Sequence, residues 1–171
     1  YTGRLVAGKK LLLLVDSFAR IRSEIDSKIR LTILGDGPED SRIKERISEL
    51  GIGDRVDVIP GTYDEGELSR YFNSALISVT PGYVGLSVIH SLSYGVPVIT
   101  ATGESHSPEF AALSNGFNAE LIPSDSAEDL AKTMARLLKD RDTLETYHRN
   151  ALRTASEWDG VENMVSSFQQ A

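Results

Sequence analysis

Two cations and a glycine-bearing turn are the residues of this chain best suited to chemistry. Arg4 and Lys9, in GRLVAGKK, sit on or just beyond the C-terminal end of what reads as the first strand. A guanidinium there can fork onto two phosphate oxygens and an ammonium can act as a point charge, so the pair suits a shared diphosphate. The plainer reading is a solvated basic loop leading into a helix, with Lys10 as its solvated member. Further on, the stretch from Thr80 to Thr100 reads TPGYVGLSVIHSLSYGVPVIT. A turn containing Pro81 and Gly82 leads into a helix that Gly85 opens and Gly95 and Pro97 close. Backbone N–H groups at a helix start lack intrahelical acceptors and carry partial positive charge, which suits a phosphate. The same glycines also admit a purely architectural reading.

Other candidates are weaker. GDGP, at Gly35 to Pro38, is either a tight strand-to-helix turn or a place where a ligand or a facing domain comes close. It is not a G-x-G-x-x-G fingerprint, and no acidic residue follows at the spacing a dinucleotide site needs. His90, inside the opening helix, reads as a ligand contact, a packing residue or an acid–base group. His106 and His148 have no partner at metal spacing and read as surface residues. Helical spacing places no second histidine or acid near His90, so no metal is expected.

These residues need a scaffold that brings both ends of the chain to one edge, and the hydrophobic pattern supplies one. Short apolar runs alternate with helical periodicity from end to end. The runs Thr2–Val6, KIRLTILG, RVDVIP, ALISVT, PVIT and the run after Asn115-Gly116 read as six strands. Between the first two, Leu11, Leu14, Val15, Phe18 and either Ile21 or Arg22 are spaced for one buried face of a helix from about Lys10 to Ile25. Pro38 suits the first position of the second helix, and Gly51 its C-terminal stop. A short helix is expected over Ser107–Leu113. Ser126 with Asp129 resembles a capping box for a helix to Lys139 with Leu130, Met134, Leu137 and Leu138 on one side. Helical segments over about Asp142–Glu157 and Gly160–Gln169 complete the chain. This pattern predicts a Rossmann-like three-layer α/β/α domain with a doubly wound parallel sheet of about six strands, order 3-2-1-4-5-6, and ligands at the C-terminal strand ends.

Composition narrows the function classes. The chain has 171 residues, about 40% apolar and 25% charged, ordinary for one globular domain. A formal charge of −7 argues against nucleic acid or an anionic membrane as a partner of the whole surface, though a local basic pocket is compatible with it. The absence of cysteine excludes disulfides and thiolate metal sites. The longest apolar run, Leu11 to Val15, is too short to span a bilayer. The chain starts inside an apparent strand, so it is expected to be a piece of a longer protein.

GRLVAGKK, GDGP, ELGIGDRVDVIPGTYDEGELSRYFNSA and PGYVGLSVIHSLSYGVPVI, in that order, resemble the C-terminal domain of GT-B glycosyltransferases of family 4. The resemblance covers nearly the whole chain and implies a nucleotide-sugar-binding domain over 1–171, with an N-terminal acceptor-binding domain absent. It implies retaining sugar transfer from a nucleotide-sugar donor without a bound metal or other cofactor. It also implies a cytoplasmic protein, peripheral at the inner face of a membrane through the missing domain. By position, Arg4 and Lys9 match the basic pair that neutralises the leaving diphosphate. The backbone of Gly82, Tyr83, Val84, Gly85 and Leu86 matches the phosphate-facing turn, and the loop from Gly61 to Tyr63 matches the region against the nucleobase. The family's two glutamates, separated by seven residues, fall on Gly82 and His90. Both carboxylates are gone, although His90 can still hydrogen-bond a ribose hydroxyl. That departure motivates an alternative, a non-catalytic nucleotide-sugar-binding or scaffold module. A GT-B type nucleotide-sugar epimerase is a second alternative.

Overall fold

A computed structural model describes residues 1–158. Five strands and six helices alternate along them: α1 (Leu11–Ile21), β1 (Leu31–Leu34), α2 (Asp40–Glu49), β2 (Val56–Ile59), α3 (Glu65–Ser74), β3 (Ser78–Thr80), α4 (Ser87–Ser93), β4 (Val98–Ala101), β5 (Ala119–Ile122), α5 (Ala127–Lys139) and α6 (Arg141–Glu157). All pairings are parallel, β1 with β2 and β3 with β4 with β5. Parallel neighbours need crossovers: α2 supplies the one between β1 and β2, α4 the one between β3 and β4, and a 3-10 segment at Pro108–Ala112 lies in the one between β4 and β5.

Alternation along the strands divides the core into two layers. Ile99, Ala101 and Ile122 face the cluster built by Leu14, Val15 and Phe18 of α1 and Leu130, Met134 and Leu137 of α5. Val98 and Ala119 face the opposite cluster, with Val88 and Leu92 of α4 and Ala151 of α6. The sheet is therefore covered on both faces, which is the three-layer arrangement expected. Two helix starts are capped by side chains, that of α5 by the serine the sequence points to. Ser126 Oγ accepts from the Asp129 N–H, and Asp64 accepts from the Glu67 N–H at the start of α3. Gly51, at φ +60°, ends α2.

The first expected strand is corrected. Thr2–Val6 makes one bridging pair, Thr2 with Leu34, so five strands form two separate ladders in place of one six-stranded sheet. The segment still follows the end of β1: Gly3 N–H donates to the Leu34 carbonyl and Leu5 N–H to the Asp36 carbonyl. Gly3, at φ +139°, interrupts the regular pairing between them. GDGP also has its answer here. A side chain at Gly35 would collide with the Gly3 carbonyl, and one at Gly37 with the Leu5 backbone. These glycines let two backbones touch, so the architectural reading holds and no ligand is needed to explain them. Helix α1 stops at Ile21 instead of Ile25, and Pro38 precedes α2 by two residues. The expected helix over Gly160–Gln169 lies outside the described residues.

Candidate functional site

The C-terminal strand ends gather three loops that are far apart in sequence. One is Val6–Lys10, with a single 3-10 turn at Ala7–Lys9; the second is the turn from Pro81 to Leu86; the third is Thr102–Ser107 after β4. Gly82 is where the first two meet. Its N–H donates to the Lys9 carbonyl at 3.3 Å, and its own carbonyl accepts from Thr100 Oγ1 at 3.3 Å. A side chain at this position would strike the Gly8 carbonyl and the Lys9 backbone. Glycine is required by this close approach, and a carboxylate cannot be accommodated while the two loops stay in contact.

Lys9 is buried, with 9% of its surface exposed. Its Nζ donates to the Tyr83 carbonyl at 2.7 Å and lies 3.7 Å from the centre of the Tyr83 ring. No carboxylate accompanies it among the described residues. Burial holds its pKa below the ordinary lysine value. An ammonium has three donors, and the Tyr83 carbonyl occupies one of them.

Lys10 is not the solvated residue the sequence suggests. Its Nζ lies 2.6 Å from Glu104 Oε1 and 2.8 Å from Asp125 Oδ1. Hydrogen bonds to Asp125 and Glu104 raise its pKa, and Lys10 in turn holds the Glu104 carboxyl below its usual value. Lys10 (φ 54°) and Asp125 (φ 60°) are also the non-glycine residues with left-handed backbone among those described. The ion pairs therefore join two strained loop positions at the same edge.

Val84 is tied to the third loop through both of its backbone groups. Val84 N–H donates to His106 Nδ1 at 3.2 Å, and the Val84 carbonyl accepts from Ser107 Oγ at 2.9 Å. His106 thus has two backbone partners and is not the free surface residue expected. The N–H groups of Gly85, Leu86 and Ser87 have no acceptor among the described residues. Leu86 itself is exposed.

The remaining sequence candidates stand further apart. Arg4 is exposed and its side chain has no hydrogen-bond partner among the described residues. Gly61 N–H donates to Asp36 Oδ2 at 2.8 Å, while Tyr63 is fully exposed. His90 is exposed on α4, edge-on to Phe72 of α3 with ring centres 6.4 Å apart. His148 is exposed as expected, with Nδ1 2.9 Å from the Gly95 carbonyl. Among the described residues, no three or more His, Asp or Glu stand together as a metal-ligand set, and no helix is long and apolar enough to cross a membrane.

Volume does not single this edge out. A cleft of about 520 Å³ lined by Tyr1, Phe18, Leu31, Ile77 and Met134 lies at the other end, by the N-terminal starts of the strands. Chemistry favours the turn, because unpaired donors and a buried cation without a counterion converge there. Sequence reasoning found Lys9 and the turn but missed His106, Ser107, Glu104 and Asp125. Their shared signal is position: all follow β4 or β5 at the carboxyl ends of the strands, where open α/β sheets bind ligands.

Residues 1–154 match the family described as glycosyl transferases group 1. An exopolysaccharide phosphotransferase of Streptomyces coelicolor is 28% identical over 90% of the chain and 17% of its own length. The N-acetyl-alpha-D-glucosaminyl L-malate synthase of Bacillus anthracis is 27% identical over 94% of the chain and 41% of its own length. In three dimensions the chain is similar to an S. aureus TarM mutant crystallised with fondaparinux, alpha-GlcNAc-glycerol and UDP. That match has a TM-score of 0.87 at 17% identity, covering 99% of this chain and 34% of the other. The chain thus spans less than half the length of these proteins.

Proposed function

Because the chain belongs to the group 1 glycosyl transferases and has the α/β fold of one GT-B half, we propose that it is the part of such an enzyme that binds a nucleotide-sugar donor. Lys9 is the observation that carries this reading. A desolvated ammonium without a carboxylate is costly to keep, and an anionic ligand placed against its free donors would offset that cost. The N–H groups of Gly85, Leu86 and Ser87 lie on the same turn and suit phosphate oxygens. Arg4, exposed at the same sheet edge, adds a guanidinium that can reach a diphosphate from outside.

Chemically, the sugar leaves a diphosphate whose bridging oxygen gains charge as the glycosidic bond breaks. Cations and amides already fixed in place stabilise that charge without reorganising. The acceptor enters on the face the diphosphate leaves, so configuration is retained. No metal is needed if Lys9 and Arg4 supply the countercharge. A preceding domain would bring the acceptor and close the cleft, and it would also carry any membrane association. His90 would bond a ribose hydroxyl, and the Gly61–Tyr63 loop would lie against the base.

The packing of Gly82 favours a second reading, a binding module without turnover. The position of the first family glutamate is closed by the Gly8 carbonyl, so a donor-sugar hydroxyl finds only backbone there. A thermal-shift panel of ADP, GDP, UDP and their sugar conjugates, with and without EDTA, tests donor binding, since a ligand that binds only the native state raises the melting point. At least one nucleotide is expected to stabilise the chain in EDTA, and Lys9→Ala to abolish the shift. No shift with any of them at millimolar concentration would contradict the proposal. Sugar transfer by the full-length parent, lost in the same variant, would eliminate the binding-module reading.

A further inference from the structure

His106 has only one protonation state that fits its partners. Its Nε2 stands 2.8 Å from the Ala101 carbonyl at the end of β4, and a carbonyl can only accept. Nε2 therefore carries the ring proton. Nδ1 faces the Val84 N–H at 3.2 Å, which can only donate, so Nδ1 must be bare. The ring lies flat on Phe110, with centres 4.0 Å apart and planes within 5°, which fixes its orientation. Neutral imidazole in one tautomer satisfies this geometry, and imidazolium does not.

Resting on the donor-site reading above, we propose that His106 is a positioning residue that holds the Val84–Leu86 turn in its anion-binding shape only while its imidazole is neutral. Nucleoside-diphosphate binding then weakens as His106 takes up a proton. Protonation puts a second donor opposite the Val84 N–H with no acceptor between them. Either the ring or the Val84 peptide must turn away. Val84 immediately precedes Gly85, whose N–H begins the row of unpaired donors, so a rotation of that peptide misaligns the row.

The charged and titratable groups around His106 come from four places. Glu104, whose carbonyl accepts the His106 N–H, has its carboxylate committed to Lys10. Lys9 and Tyr83 face the turn from the other side and are engaged with each other. Glu109, beside Phe110 on the 3-10 turn Pro108–Ala112, has a buried Oε2 with no hydrogen-bond partner. His90 stands on α4, the helix that follows the turn.

The test follows the ring nitrogens of His106 and the Val84 amide by NMR from pH 8 to 5, without nucleotide. Calorimetry in parallel uses whichever of ADP, GDP and UDP gives the largest thermal shift. Each arm is run with native His90 and repeated in His90→Asn, which removes the other histidine near the turn, and binding itself is judged with His90 in place. At pH 8 the His106 ring is expected to be protonated on Nε2, and the Val84 amide to shift together with the His106 titration. Between pH 8 and 5.5, affinity should fall roughly threefold to tenfold more with His106 present than in His106→Asn, the worth of one hydrogen bond. The asparagine oxygen can accept from Val84 as Nδ1 does, but it does not titrate. A Val84 amide indifferent to His106 ionisation, or equal pH dependence in His106→Asn, overturns the proposal. So does affinity that rises on acidification only when His106 is present, since the imidazolium would then be a direct phosphate ligand. Failure of all three nucleotides to bind at pH 8 overturns the donor-site reading itself. The nucleotide-free titration would still decide whether His106 holds the turn.

Discussion

The two sides of the candidate site are built differently. On the phosphate side, Gly82 and Val84 have both backbone groups hydrogen-bonded, the Tyr83 carbonyl holds Lys9, and Lys10 ties the neighbouring loop to Glu104 and Asp125. On the side proposed for ribose and base, His90 is exposed with an aromatic edge as its neighbour, and Tyr63 has no contact that shields it. The contrast separates what loops at the strand ends of a single sheet can build by themselves, a preorganised countercharge for phosphate, from contacts that they leave open to solvent. It also locates the missing family carboxylates. One position is filled by another backbone, and the other is free to accept almost any residue.

Substitutions at those two positions should therefore give the largest contrast. Gly82→Glu forces a side chain into the Gly8 carbonyl and should destabilise the fold by about 3 kcal/mol in denaturant unfolding, as overpacking does. His90→Glu, on an exposed helix face, should stay within about 0.5 kcal/mol of the parent. Equal effects would erase the distinction between a closed and an open side.

Lys9→Met separates binding from stability. Removing the ammonium should weaken nucleoside-diphosphate binding about 10- to 100-fold, the range for a charged hydrogen bond in a buried site. Thermal stability should be kept or raised, because the ammonium is desolvated and lacks a carboxylate. The sign follows from its lowered pKa: the unfolded chain holds that proton more tightly, so with Lys9 present stability rises with pH through the titration range. A variant that unfolds easily yet binds normally would show that Lys9 is only structural.

Lys10→Met should cost about 1 kcal/mol at neutral pH, the upper range for a partly shielded ion pair. Glu104 has a depressed pKa in the fold, so its contribution is present above the ordinary glutamate range and lost as pH falls through the depressed value. The difference between parent and variant should accordingly vanish in acid unfolding titrations once the pH has fallen far enough to protonate Glu104 in the fold. The smallest effect belongs to Tyr63→Ala. Its ring is fully exposed, so unfolding should be unchanged within about 0.5 kcal/mol.

Much of the scaffold was legible because periodicity reports burial directly. The α1 face from Leu11 to Ile21 and the α5 face from Leu130 to Leu137 are buried as their spacing requires. The end of α2 at Gly51 was readable from local chemistry for the same reason. Thr2–Val6 misled because its residue types suit a strand, while Gly3 breaks the pairing through a backbone angle that spacing does not encode. In the site, Lys9 and the Pro81–Leu86 turn were legible as a cation and a helix start at strand ends. The partners of Lys10 were not, because Glu104 and Asp125 arrive from loops behind different strands. His106 carried no local mark at all, since its two partners are backbone groups of Val84 and Ala101.

The central claim is that this sheet edge holds a diphosphate through Lys9 and the turn that follows β3. Calorimetry of the chain with UDP, GDP and ADP, each beside its uncharged nucleoside, tests it most directly. The account predicts that at least one diphosphate binds, that its nucleoside binds at least about tenfold more weakly, and that Lys9→Met removes most of the difference. Equal affinity for nucleoside and diphosphate, or a diphosphate affinity unchanged by Lys9→Met, would contradict it.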